Sequence, residues 1–284
     1  MTAKSTLGIV TGSGDLPGRL AAHARSTGRG VFILSLNGSA DPALIETYGG
    51  ADISIGEIGK QLDSLKAAGC LDVVFAGVVK RPDFATLRLD MRGALLMPKV
   101  IAAAGKGDDA LLRVAIGAYE DAGFRVVGAD DILTDLLAPA GSVSALKPTD
   151  EHWSDIRLAA RVASAIGALD VGQGAVSCAG IILAVEAQEG TDRMLTRVGE
   201  LPVEIRGTPS ARRGVLVKRP KPMQELRIDL PTIGAETIRR AAASGLAGIA
   251  VQAGNALILD RAEITALADS LGLFVYGFTA EEVA

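Results

Sequence analysis

Positions 218–231 of the 284-residue chain read Lys-Arg-Pro-Lys-Pro-Met-Gln-Glu-Leu-Arg-Ile-Asp-Leu-Pro, so cations, carboxylates and three prolines share fourteen positions of an otherwise apolar protein. From Gln224 the residues alternate, which predicts a strand with Leu226, Ile228 and Leu230 toward a core and Glu225, Arg227 and Asp229 on the opposite face. Side chains two apart on a strand lie about 6.5 to 7 Å apart, so the two carboxylates would be roughly 13 Å apart and could not grip one ion together. Each would pair with Arg227, or one would hold a metal while the arginine faces a phosphate. A solvated strand face laced by exposed ion pairs is the competing reading, and Lys218, Arg219 and Lys221 alongside weigh against it.

A second acidic group stands where the apolar run Ser177–Val185, read as one strand, ends in Glu186. Glu189 and Asp192 follow it. Carboxylates gathered at a strand end suit hard-cation ligation or water activation. The simpler account is that Thr191 or Asp192 caps the helix running through Val198. Positions 206–221 hold six cations and no acid, a run fit to meet phosphates or an anionic bilayer, or to be a solvated hairpin.

Three further places suit anions. Thr11-Gly12-Ser13-Gly14-Asp15-Leu16-Pro17-Gly18 joins a short apolar strand, 7–10, to a helix, and glycines there let backbone amides approach an anion ahead of the helix's positive end. It departs from the dinucleotide fingerprint, because Pro17 stands where the third glycine belongs. The second strand, 31–36, also ends in Asn37 rather than a ribose-holding acid. Lys80 and Arg81 follow the apolar strand 72–79, at the kind of strand end where ligands gather in open α/β sheets. Lys106 sits between Gly105 and Gly107 ahead of a helix over 108–121, for which Asp108 is a fitting cap. Packing glycines and exposed turns are the plain alternatives at each place.

The elements that would position these residues alternate β and α. Strands near 53 and over 124–127 and helices over 57–68 and 93–104 complete a parallel-sheet half. Asp130 and Asp131 are read as caps of a short helix after them. Residues 137–148, with two prolines, glycine and serines, mark the boundary. The reading is α/β: a Rossmann-like amino-terminal domain over 1–140 and a mixed α/β domain over 141–284. In the second, Thr149 or Asp150 caps a helix to about 166, helices run over 235–244 and 261–271, and strands over 248–251, 257–259 and 274–276 finish the sheet.

Bulk properties limit the chemistry. A formal charge of −4 argues against a broad nucleic-acid surface. Cys70 and Cys178, in apolar contexts, read as buried hydrophobes. Two histidines make a histidine-rich metal site improbable and leave magnesium, held by carboxylates and waters, as the fitting metal. With no signal peptide or apolar run of spanning length, the chain is expected in the cytoplasm, with room for surface contact with a membrane.

Taken in order, Thr11–Pro17, Gly77–Pro82, Gly107–Asp109, Glu186–Asp192 and Lys221–Pro231 resemble the UDP-2,3-diacylglucosamine pyrophosphatase family of bacterial lipid A biosynthesis, the type without a calcineurin-like dimetal site. The likeness covers almost the whole chain. It implies hydrolysis of the pyrophosphate of UDP-2,3-diacylglucosamine to UMP and 2,3-diacylglucosamine 1-phosphate with Mg2+, a homodimer, and transient contact with the inner membrane surface. By matched position it implies Asp229, Glu225, Arg227 and Asp192 as catalytic, with Glu225 and Asp229 on the metal. Substrate contacts fall to Gly12, Ser13, Gly14, Asp15, Leu16, Lys80, Arg81, Lys106, Gly107, Asp108, Glu189, Thr191, Lys218, Lys221 and Gln224. The family's segment carries aspartate where Glu225 stands, so which of Glu225 and Asp229 faces the ion stays open. The alternative from another class is a non-catalytic nucleotide-sugar or lipid-binding protein.

Overall fold

The computed structural model describes residues 5–284 apart from 80–82, 84–85, 223–224, 226 and 228–229; of Asp108 only the backbone is described. The chain forms two compact units, divided between Thr134 and Asp135, ahead of the proline-containing stretch at 137–148.

The first unit alternates β1 (Thr6–Thr11), α1 (Leu16–Ser26), β2 (Val31–Leu36), α2 (Pro42–Tyr48), β3 (Gly50–Ile53), α3 (Ile58–Ala67) and β4 (Cys70–Ala76). It then runs α4 (Met91–Ala104), α5 (Asp108–Asp121), β5 (Arg125–Val126) and α6 (Ala129–Ile132). Its strands pair in parallel in the order β3-β2-β1-β4-β5, the Rossmann-like arrangement. Nearly continuous apolar strands such as β1 are buried on both faces, as a helix-covered parallel sheet requires. Asp130 and Asp131 lie inside α6 rather than before a helix, and Asp131 Oδ2 accepts the Gly128 amide at 2.9 Å.

The second unit contains β6 (Gly141–Ser142), α7 (Asp150–Ala168), β7 (Gly174–Cys178), β8 (Ile181–Val185), α8 (Gly190–Glu200), β9 (Val215–Lys218), β10 (Thr232–Ile233) and α9 (Ala235–Ala243). It closes with β11 (Gly248–Gln252), β12 (Leu257–Ile258), α10 (Arg261–Leu271) and β13 (Phe274–Phe278). Six strands form a mixed sheet ordered β6-β13-β11-β9-β7-β8, while β10 and β12 pair separately. The period-two alternation of the strands divides the core between the sheet's faces. Val215, Val217 and Ala250 meet Ile156, Ala159 and Ala163 of α7. Leu216, Ile249 and Val251 join Met194, Leu195 and Val198 of α8 and Ile238 of α9.

Two readings change here. The run 177–185 is a hairpin rather than one strand, turning at Ala179 and Gly180, both at positive φ. The turn is held from α7, where the Asp155 carboxylate accepts the Ser177 hydroxyl at 2.7 Å and the amides of Ala179 and Gly180 at 3.0 and 2.9 Å. The strand expected over 224–230 is also not found among its described residues: Glu225 and Leu230 are irregular and Arg227 lies in a turn. Pro220, Pro222 and Pro231 flank the stretch without interrupting it; alternation alone supplies no neighbouring strand for it to pair with.

Candidate active site

In the second unit the carboxyl ends of β8 and β9 lie at the same edge of the sheet, because β7 pairs antiparallel with each. Lys218 ends β9 on the face it shares with Leu216, toward α8. Its ammonium donates to Thr191 Oγ1 at 2.7 Å and to the Thr232 carbonyl at 3.2 Å, and lies 4.0 Å from Glu186 Oε1. The Thr191 hydroxyl in turn donates a hydrogen bond to Glu186 Oε1 at 2.6 Å. Lys218 is 5% and Glu186 7% exposed, and Glu186 Oε2 has no hydrogen-bond partner among the described residues. A Cβ at Gly174 would stand 2.7 Å from that oxygen, so the glycine gives the carboxylate its room.

Through this network the charged segment is tied to the sheet at both ends. The Arg219 amide donates to Gln173 O at 3.0 Å, and the Leu257 amide donates to Pro231 O at 2.8 Å. Lys221 binds Asp170 at 2.5 Å. Glu225 and Arg227, close because the chain turns, pair directly: Nε and Nη2 donate to the two carboxylate oxygens at 2.9 and 3.1 Å. That is the Glu225 half of the first alternative, in which both acids pair with Arg227. Asp229 and Gln224 lie outside the described residues, as do Lys80 and Arg81.

The acids after β8 do not gather. Glu189 takes the N-cap position of α8 and pairs with Arg197, while the Asp192 carboxylate lies 3.8 Å from Arg240. The Glu189 carboxyl is held below its usual range by its own backbone amide, with burial opposing and Arg197 adding to the effect. Thr191 does not cap, since its hydroxyl serves Glu186. Nor is the cationic run 206–221 one solvated face: Arg206 donates to the carbonyls of Leu201 and Gly207, Arg212 to that of Ala242, and Lys218 is interior. Arg219 has its Nε buried with no acceptor among the described residues, and burial pushes its guanidinium down. Its place just after a central strand was the signal for it. Asp170, which supports this edge through Lys221, and Asp155, which holds the β7–β8 turn at the sheet's other end, carried no local signal.

A divalent ion needs several oxygen ligands. Among the described residues no three carboxylate, imidazole or thiol groups cluster to hold one, and both Glu225 oxygens face Arg227. The described side chains, as arranged, do not make a metal site.

In the first unit Gly12 and Ser13 spend their amides on β4 and its continuation, donating to Ala76 O and Val78 O at 2.9 Å each. The donors left for an anion begin at Gly14 and the start of α1, where Asp15 makes no side-chain cap. Asn37, at positive φ, accepts the Ile55 amide at 3.0 Å as a turn residue. Lys106 is exposed, Gly107 rather than Asp108 is the N-cap of α5, and Asp109 pairs with Arg113 at 2.8 Å.

A five-stranded parallel Rossmann-like sheet followed by a mixed α/β unit with cations and acids at its strand ends defines a two-unit α/β protein equipped for anionic ligands. Residues 6–136 match the LpxI N-terminal domain and residues 139–276 the LpxI C-terminal domain, and the chain belongs to the LpxI family. It is 51% identical over 276 residues to the UDP-2,3-diacylglucosamine pyrophosphatase LpxI of Caulobacter vibrioides, covering 97% of this chain and 98% of that one.

Proposed function

We propose that this chain hydrolyses the pyrophosphate bond of UDP-2,3-diacylglucosamine, releasing UMP and 2,3-diacylglucosamine 1-phosphate in lipid A biosynthesis. The observation that carries this is the 51% identity across 97% of the chain to a relative named for that activity. The chain is an enzyme, a hydrolase of a phosphoric anhydride.

Hydrolysis of a diphosphate needs positioned cations and a water nucleophile, because charge spreads over the phosphoryl oxygens in the transition state. Arg227 and Lys221 are assigned to phosphate, joined by Arg219, whose Nε has no acceptor among the described residues. Asp229 and Glu225 are the candidates for orienting water, and Asp192 supports them. Lys218 and Thr191 act from below, tying the segment's ends. Gln224 and Glu189 complete this unit's substrate contacts. In the first unit Gly12 to Leu16, Lys80, Arg81 and Lys106 to Asp108 are assigned to substrate. Magnesium belongs to the proposal on chemical grounds, as a hard ion that draws charge from phosphate oxygens, with Glu225 and Asp229 as donors. Homodimerisation and transient contact with the inner membrane are part of the same reading.

Incubating the purified chain with UDP-2,3-diacylglucosamine and magnesium tests it. UMP is the expected product, and a protein that binds the nucleotide lipid but releases none is the alternative binding module.

A further inference from the structure

Among the described residues, α4 is the one helix that leaves large apolar side chains in solvent: Met91, Leu95 and Ile101 are 82, 75 and 63% exposed. Their spacing sets them on one stripe with Ala94, Pro98 and Ala102, also exposed. Gly93 and Ala103, on the opposite side, are buried, with Leu96, Met97, Val100 and Ala104 partly so. The helix is thus apolar on both faces, whereas a surface helix of a globular protein turns a polar face outward.

Charge narrows what could cover the stripe. Helix α4 contains no carboxylate, and Arg92 and Lys99, two turns apart, share one shoulder of the stripe. Over residues 86–107 there are four cations, Arg88, Arg92, Lys99 and Lys106, against the single acid Asp90. Asp90 is already occupied, accepting the amides of Gly93 and Lys60 at 2.8 and 3.0 Å. In a chain of net charge −4 the helix itself thus carries two cations and no acid beside its apolar ridge, with Asp108 and Asp109 following only at the start of α5. Apolar side chains at the centre of a helix face with lysine and arginine beside them suit the acyl and headgroup boundary of an anionic leaflet.

We propose that α4 is the surface by which the protein docks on an anionic phospholipid bilayer, its stripe entering the acyl boundary and Arg92 and Lys99 meeting phosphate headgroups. The proposal rests on the reading above, in which the substrate is a diacylated lipid that must be collected from a membrane.

Sedimentation with vesicles of phosphatidylglycerol and phosphatidylethanolamine, against vesicles of phosphatidylcholine alone, tests it. The wild-type chain is expected to sediment with the anionic vesicles. The double variant Leu95→Ser, Ile101→Ser should lose about tenfold or more in partitioning, since both side chains bury apolar surface. The pair Arg92→Gln, Lys99→Gln should lose about tenfold for anionic vesicles. Both should release UMP from detergent-dispersed substrate within about twofold of wild type, which also shows that they fold. Absence of wild-type binding, or variants that sediment like wild type, overturns the proposal. A change in oligomeric mass with vesicle binding intact would make the stripe a contact between copies. Loss of hydrolysis in detergent with vesicle binding intact would make it an acyl-chain subsite. Either result also overturns it. Vesicle binding that the variants lose supports the proposal even where wild type releases no UMP, a result that would sink the hydrolase reading alone.

Discussion

Lys218 and Glu186 are 4.0 Å apart in the interior of the second unit, bridged by the Thr191 hydroxyl, at the foot of the segment that carries Glu225 and Arg227. A buried ion pair is weak evidence for stability by itself, because desolvation offsets much of the attraction. Removing one partner is different, since it strands a charge. Lys218→Met should cost about 3 to 5 kcal/mol. Combining it with Glu186→Gln should recover part of that loss, which chemical denaturation of the four members of the cycle measures. The second expected effect is on catalysis. Lys218 also binds the Thr232 carbonyl, so loosening it should lower kcat more than it raises KM. A cycle with no coupling, together with unchanged kcat in Lys218→Met, would mean that the network does not position the segment.

How much of this was legible depends on how local its causes are. Helices α5 and α10 begin and end where their apolar spacing and flanking residues put them, because a helix is fixed by neighbours within a turn or two. The hairpin at Ala179–Gly180 was hidden, since the apolar run continues through it and its turn is held by Asp155 on α7. Lys218 read as a substrate-contacting cation, and its interior position was hidden for the same reason: its partners, Thr191 and Thr232, come from separate parts of the chain. At 224–230 the alternation was local, whereas a strand also needs a pairing partner from elsewhere in the chain.

Glu225 and Arg227 form a test of their own. With both carboxylate oxygens turned to the guanidinium, Glu225 would have to release Arg227 before it met a cation. Alanine at both Glu225 and Asp229 should lower magnesium-dependent UMP release by about a hundredfold or more. Arg227→Lys, which keeps the charge but loses the two-point pairing, should cost about tenfold. Chelator treatment followed by magnesium titration is the companion measurement, and activity unchanged by chelator would remove the metal from the proposal.

The glycine loop offers a way to separate folding from binding. A Cβ at Gly12 would overlap the Val78 carbonyl, so Gly12→Ala should destabilise the first unit by about 1 to 3 kcal/mol in thermal unfolding. Gly14 has φ +108 with open space where a Cβ would go. Gly14→Ala strains only its own backbone, at a cost of about 1 to 2 kcal/mol. If the free amides from Gly14 onward meet substrate, this variant should also raise KM several-fold while the protein stays folded. An unchanged KM in folded Gly14→Ala would leave the loop a packing device.

The last expectation concerns acid. Asp72, buried on β4, accepts from Arg125 Nε at 2.7 Å and from Arg29. Burial alone would raise its carboxyl, but the hydrogen bonds of Arg125 and Arg29 outweigh it and hold the group below the usual carboxylate value. A folded-state pKa below the unfolded one gives stability that is complete above the unfolded value, about 4, and is lost as pH falls through the folded value. Asp72→Asn should therefore cost on the order of 2 kcal/mol at neutral pH, and the gap between variant and wild type should narrow below about pH 4. Thermal unfolding of both proteins across that range measures it. A difference that stayed constant to pH 2 would mean that the charge on Asp72 contributes nothing and that only its shape matters.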